Sequence, residues 1–158
     1  MTSLEDLINL DKDKFQVFLM TCPGNLPFSF MPHHWFVIND RGIISRWEVL
    51  FRKIPNATRW GYLYKNFFAP FRGIEISHFS KKYLWQAKLR YKIDGEEAKQ
   101  LAKFIEKSPS AYPYCQKYFL TGPNCNTYIQ WIINHFPNLN IKLPWNAIGK
   151  NYKNPHSN

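Results

Sequence analysis

The run Phe15-Gln-Val-Phe-Leu-Met-Thr21 is aromatic and β-branched and is stopped by Pro23-Gly24, which predicts a strand. His33-His-Trp-Phe-Val-Ile38 predicts a second strand, after a loop carrying two prolines. Asn39-Asp-Arg-Gly42 is hairpin-turn chemistry. Ile43 to Phe51 then predicts a third strand. Its alternation puts Ile44, Arg46, Glu48 and Leu50 on one face and Ser45, Trp47 and Val49 on the other. Residues 52–73 are punctuated by Pro, Gly and Asn and predict an irregular excursion. Gly73 to Phe79 and Tyr83 to Ile93 read as further strands, and residues 2–10 as a short helix or arm.

The period then changes. Ala98, Leu101, Ala102 and Ile105 form one helical stripe. Asp94 with Glu97 has capping-box spacing, and Ser108-Pro109 is the expected stop. Tyr118-Phe-Leu120 reads as a short strand. Cys125 to Phe136 reads as a buried helix ended by Pro137, preceded by a Thr121-Gly-Pro-Asn124 turn. Strands followed by helices predict an α+β fold, a small antiparallel sheet packed against helices. A single domain is expected over residues 1–150, with a polar tail over 151–158.

Composition narrows the class. With 45% apolar, 18% aromatic and 20% charged residues over 158 positions, the chain is not disordered, collagen-like or a coiled coil. The net charge of +10 is uneven. Residues 41–93 hold twelve Lys/Arg against Glu48 and Glu75 alone, and the basic residues mostly alternate with aromatics. Such a surface suits an anionic partner, a nucleic acid or a membrane surface, and equally a solvated strand face. The acidic Leu4-Glu5-Asp6 start is unlike a signal peptide, and no run reaches the ~20 apolar residues of a span. Cys22, Cys115 and Cys125 show no metal-ligand spacing. A cytoplasmic protein with neither metal nor cofactor is the expectation, with secretion by a route that needs no cleaved signal as the alternative.

One segment carries chemistry. Gly122-Pro-Asn-Cys-Asn-Thr127 delivers Cys125 to the start of an apolar helix. There a sulfur faces unpaired backbone N–H groups and the positive end of the helix dipole, a setting suited to a nucleophilic thiolate. The same N–H groups could hold an oxyanion, with the Asn124 and Asn126 amides beside them. The competing reading is a small cysteine packed in the core. A nucleophile needs a base. His33 and His34 are adjacent on a strand, so only one of them faces a given site. His135 lies about three turns along the same helix as Cys125, out of reach, and His78 reads as a structural strand histidine. Glu48 could orient an imidazole, or pair with Arg46 or Arg52.

Several segments together resemble a bacterial family of unknown function whose motif is GPN[S/C]NT. Gly122-Pro-Asn-Cys-Asn-Thr-Tyr128 matches that motif, with Cys where many relatives have Ser. Ala111-Tyr-Pro-Tyr114 resembles its YPY segment, and Leu143-Pro-Trp-Asn-Ala-Ile-Gly-Lys150 its LPxxAIGK ending. His33-His-Trp35 and Arg46-Trp-Glu-Val49 resemble its HxW and RYEV strands. The family is in turn distantly similar to the circularly permuted papain-like superfamily, which includes NlpC-like and lecithin:retinol acyltransferase-like proteins. This resemblance implies a strand histidine preceding a helix-start cysteine, and acyl-thioester chemistry on an amide or ester. HxW spacing points to His33, and the superfamily's His-then-aromatic order to His34. Cys125, His33, His34 and Glu48 are then the candidate catalytic residues, and Asn124, Asn126 and Arg46 the candidates for oxyanion or substrate binding. The alternative expectation is a non-catalytic binding module of the same fold, gripping an anionic partner through its basic-aromatic surface.

Overall fold

The computed structural model describes residues 8–154. The chain is a mixed α/β protein built on an antiparallel sheet and two helices. Strands β1 (Phe15–Pro23), β2 (Pro32–Asp40) and β3 (Ile43–Val49) form its centre. Short β4 (Arg59–Trp60) and β5 (Leu63–Lys65) extend it, and β8 (Lys88–Asp94) closes the far side. The order is β4-β5-β3-β2-β1-β8. A separate two-stranded ribbon holds β6 (Arg72–Ser77) and β7 (Ser80–Gln86). Helices α1 (Gly95–Ala111) and α2 (Cys125–Asn134) follow.

Both faces of the central strands are buried, and alternation sorts their side chains between two cores. Val17, Leu19, Phe36, Ile38, Trp47 and Val49 meet the helices. Phe18, Met20, Cys22, Trp35 and Val37 pack on the other side with Tyr64 of β5 and Ile74 of the ribbon. That explains why β1 is apolar at nearly every position rather than at every second one.

The structure departs from the expected elements in five places. Residues 52–73, expected to be irregular, contribute β4 and β5, and β5 pairs with β3 toward the sheet's edge. The 83–93 stretch is two strands, because the chain leaves β6 at Gln86, buries Ala87, and joins β1 as β8. Asp94 does not cap α1 with its side chain; its carboxylate accepts from Gln16 Nε2 at 2.9 Å instead. The helix also runs past Pro109. The Ile105 carbonyl, which a proline N cannot reach with a hydrogen bond, accepts from Ser108 Oγ at 2.6 Å. Residues 118–120 join no strand and instead make a turn, with Gly122 N donating to Phe119 O and Phe119 N to Pro123 O. Residues 2–7 of the expected N-terminal arm, and 155–158 of the tail, lie outside the described residues. Within the remaining tail, the Tyr152 ring sits 5.3 Å from that of Tyr114. Among the described residues no helix is long and apolar enough to cross a membrane.

Candidate active site

Helix α2 begins on a double cap. The Asn124 side-chain oxygen accepts from the N–H groups of Asn126 and Thr127, and Thr127 Oγ1 accepts from Asn124 N at 3.0 Å. The Asn124 amide nitrogen donates to Leu120 O and Ile148 O. Thr127 Oγ1 reaches Gly149 O at 2.7 Å. The Ala147-Ile-Gly-Lys150 segment is therefore the far wall of the Gly122–Thr127 turn. Gly149 has φ +95°, and a Cβ there would collide with the Asn124 amide, so glycine is required on both counts. Between them these contacts fix Cys125 at the first helical position. The first-turn amides of Asn126 and Thr127 are taken by the cap and that of Tyr128 by Asn124 O. Of the four first-turn amides of this helix, that of Cys125 has no hydrogen-bond partner among the described residues.

The two adjacent histidines face opposite ways. His33 lies beside Cys125 on the wall of one cavity, close enough for the sulfur to act on its titration, and its Nε2 lies 2.8 Å from Glu48 Oε2. With Nε2 engaged by the carboxylate, Nδ1 is the nitrogen left for sulfur. The His33 ring stacks on Trp35, centroids 5.7 Å apart. Glu48 is held from behind by Arg46, whose Nη2 donates to Oε2 at 2.8 Å and whose Nε lies 2.8 Å from Oε1. Arg46 is fully buried, donates through Nη1 to Ala69 O and Arg72 O, and lies 4.1 Å over the Trp35 ring. Both readings of Glu48, imidazole partner and arginine partner, describe the same carboxylate.

His34 points to the helix side. Its Nδ1 lies 2.7 Å from Asn126 Oδ1. Asn126 Nδ2 donates to Pro32 O and Ile148 O, which orients the amide. The oxygen is therefore the acceptor, His34 carries its proton on Nδ1, and His34 Nε2 is buried without a partner. This pair fastens the start of α2 to the start of β2.

The charges follow from burial and neighbours. Burial opposes the His33 imidazolium, but Cys125 and Glu48 outweigh it and raise the His33 pKa to about 9. Burial also opposes the Glu48 carboxylate, yet Arg46 and His33 hold its pKa below the ordinary value. His34, buried and without an anionic partner, falls to about 4. Burial pushes the Cys22 thiol up to about 12 and raises that of Cys115.

A cavity of about 270 Å³ opens onto Cys125 and His33. The loop after β1 supplies Phe28 and Met31, the β6–β7 ribbon Ile74 and His78, and the turn before α2 Tyr118 and Leu120. Asn124 and Asn126 line it as well, though their amides are spent on the cap and on the clamp to β2. Arg46, Glu48 and His34 lie behind the lining. His78, weighed in the sequence as an alternative base and read as a structural strand histidine, lines the same cavity as Cys125, in the β6–β7 turn. Among the described residues there is no cluster of three or more His, Cys, Asp or Glu that could hold a metal ion.

A chain with this geometry is related to others by sequence. Residues 15–152 match the family described as protein of unknown function, DUF3750, and the chain belongs to that family. No curated protein and no solved structure matches it.

Proposed function

We propose that the chain is a cysteine-dependent hydrolase or acyltransferase and that its fold is a permuted papain-like unit. The observation that carries this reading is His33, held between the Cys125 sulfur and the Glu48 carboxylate at the edge of a cavity. The order of His strand before Cys helix supports the permuted arrangement.

With its pKa raised to about 9, His33 already holds the proton of the Cys125–His33 pair at neutral pH, and the sulfur attacks the carbonyl carbon of an amide or ester. The tetrahedral oxyanion lies against the Cys125 N–H. As the intermediate collapses, the carbon–nitrogen or carbon–oxygen bond breaks. The His33 imidazolium then protonates the departing amine or alcohol and leaves a thioester on Cys125. Water, or the hydroxyl or amine of an acceptor, next attacks the thioester with His33 as base, releasing the acyl product and restoring the thiol. Glu48 keeps the ring oriented and favours its charged form, and Arg46 holds Glu48.

The test is to treat the protein near neutral pH with iodoacetamide and with a p-nitrophenyl acyl ester, then map adducts by mass spectrometry. Cys125 is expected to react well ahead of Cys22 and Cys115, to carry the acyl group, and to lose its lead in His33→Ala. Slow and equal labelling of all three thiols would sink the proposal.

A further inference from the structure

The rim of the Cys125 cavity is unusually apolar for a surface. Phe28, Phe51 and Leu120 line the cavity and are each more than a third exposed. Beyond them, Phe30 is 64% exposed with its ring 6.3 Å from that of Phe28. Trp145, 87% exposed, precedes Asn146, whose amide donates to Phe30 O at 3.1 Å. The β6–β7 turn adds a third element. Ser77 pairs with Ser80, so His78 and Phe79 are the two turn residues. His78 faces the cavity with its ring 4.2 Å from that of Phe51, while Phe79 is wholly exposed at the tip. Lys81 and Lys82 follow after Ser80, both exposed.

Charge completes the picture. The basic segment 41–93 contains two acids, and both are buried and paired: Glu48 with Arg46, and Glu75 with Arg52 at 3.0 Å. The segment therefore shows solvent lysines and arginines and no exposed carboxylate. Exposed aromatic rings on separate loop and turn tips, with lysines just behind, suit the interfacial layer of an anionic bilayer. There a ring inserts at headgroup depth while an ammonium meets lipid phosphate.

We infer that the mouth of the Cys125 cavity docks on an anionic lipid bilayer. Phe30, Phe79 and Trp145 insert, and Lys81 and Lys82 meet the headgroups. Docked this way, the cavity opens onto the membrane, and an acyl ester or amide embedded there reaches sulfur without crossing water. Only this last consequence rests on the proposed cysteine chemistry; the docking face does not.

The experiment is co-sedimentation of the full chain with vesicles of phosphatidylcholine alone and of phosphatidylcholine mixed with phosphatidylglycerol. The expected result is preferential binding to the mixed vesicles, weakening as salt rises. Phe79→Ser and Phe30→Ser should each lower the partition coefficient by about tenfold, the scale of withdrawing one aromatic side chain from an apolar phase. Lys81→Glu with Lys82→Glu should remove the preference for phosphatidylglycerol. These positions are exposed, so their substitution leaves the core intact. Cys125→Ala should bind as the parent does, which separates failure of docking from failure of the chemistry. No binding to mixed vesicles, binding indifferent to Phe79 and Phe30, or tighter binding to a single-stranded oligonucleotide that displaces the vesicles would overturn the inference.

Discussion

Arg46 is the residue on which the candidate site depends most and which takes no direct part in it. A fully buried guanidinium is tolerable because it is surrounded: the Glu48 carboxylate on one side, two backbone carbonyls on another, the Trp35 ring beneath. Arg46→Met would leave Glu48 buried with only His33 to balance it. The expected cost is about 3–5 kcal/mol in urea unfolding at neutral pH, the usual penalty for stranding one member of a buried ion pair. Adding Glu48→Gln should recover part of that loss, since the stranded charge is then gone, and a double-mutant cycle measures the coupling. A cost below about 1 kcal/mol for Arg46→Met would show that the carboxylate is supported by something else. The sequence offered Glu48 two partners, His and Arg. Nothing in strand alternation could say that one carboxylate serves both, because that depends on how β2 and β3 pair.

At the scale of elements, the start of α2 is a joint between three segments distant in sequence. The turn before it supplies the Asn124 cap, the segment after it supplies Ile148 O and Gly149 O, and β2 supplies Pro32 O and His34. Gly149→Ala forces a Cβ onto the Asn124 amide at a backbone angle L-residues avoid. The expected result is loss of the enhanced iodoacetamide reactivity of Cys125, with a stability loss of about 1–3 kcal/mol by urea unfolding. Asn124→Ala should cost about 1–2 kcal/mol through the lost cap. If either variant kept parental Cys125 labelling, the cap would not be what positions the sulfur. The helix and the turn before it were legible in sequence because Gly-Pro-Asn before an apolar run is local chemistry, whereas the use of the Asn124 side chain as the cap was not. The failed box at Asp94 was equally local in its signal, but Gln16 on β1 competes for the carboxylate, and that contact exists only in the folded sheet. The passage of α1 through Pro109 was illegible for a similar reason: it turns on one hydroxyl, Ser108 Oγ, folding back onto the Ile105 carbonyl.

For the whole molecule, the central strands were readable and the cavity was not. Its walls come from a ribbon and loops whose own patterns say only that they are irregular and aromatic. What the molecule does express globally is a division of two neighbouring histidines into opposite roles, and pH separates them. His33 is raised to about 9 from an ordinary 6.5, so its contribution to stability is fully present below about 6.5 and is lost as pH rises through about 9. His34 is lowered to about 4 from the same 6.5. Below pH 6.5 the unfolded chain takes up a proton at His34 that the folded chain refuses, so this residue destabilises the fold as pH falls. Glu48, held below its ordinary 4.5, keeps its stabilising contribution until the pH drops under that value. Between pH 6.5 and about 4.5 the acid-side slope from these three groups therefore belongs to His34. From pH 7 to pH 5 the loss expected from this one group is about 2 kcal/mol. His34→Asn can still donate an amide hydrogen to Asn126 Oδ1 but cannot titrate. Urea midpoints for this variant should fall much less between pH 7 and pH 5 than those of the parent, while the alkaline loss near pH 9, which comes from His33, stays. An acid slope unchanged by His34→Asn would show that His34 takes up its proton in the folded state, and that the clamp between β2 and α2 survives it.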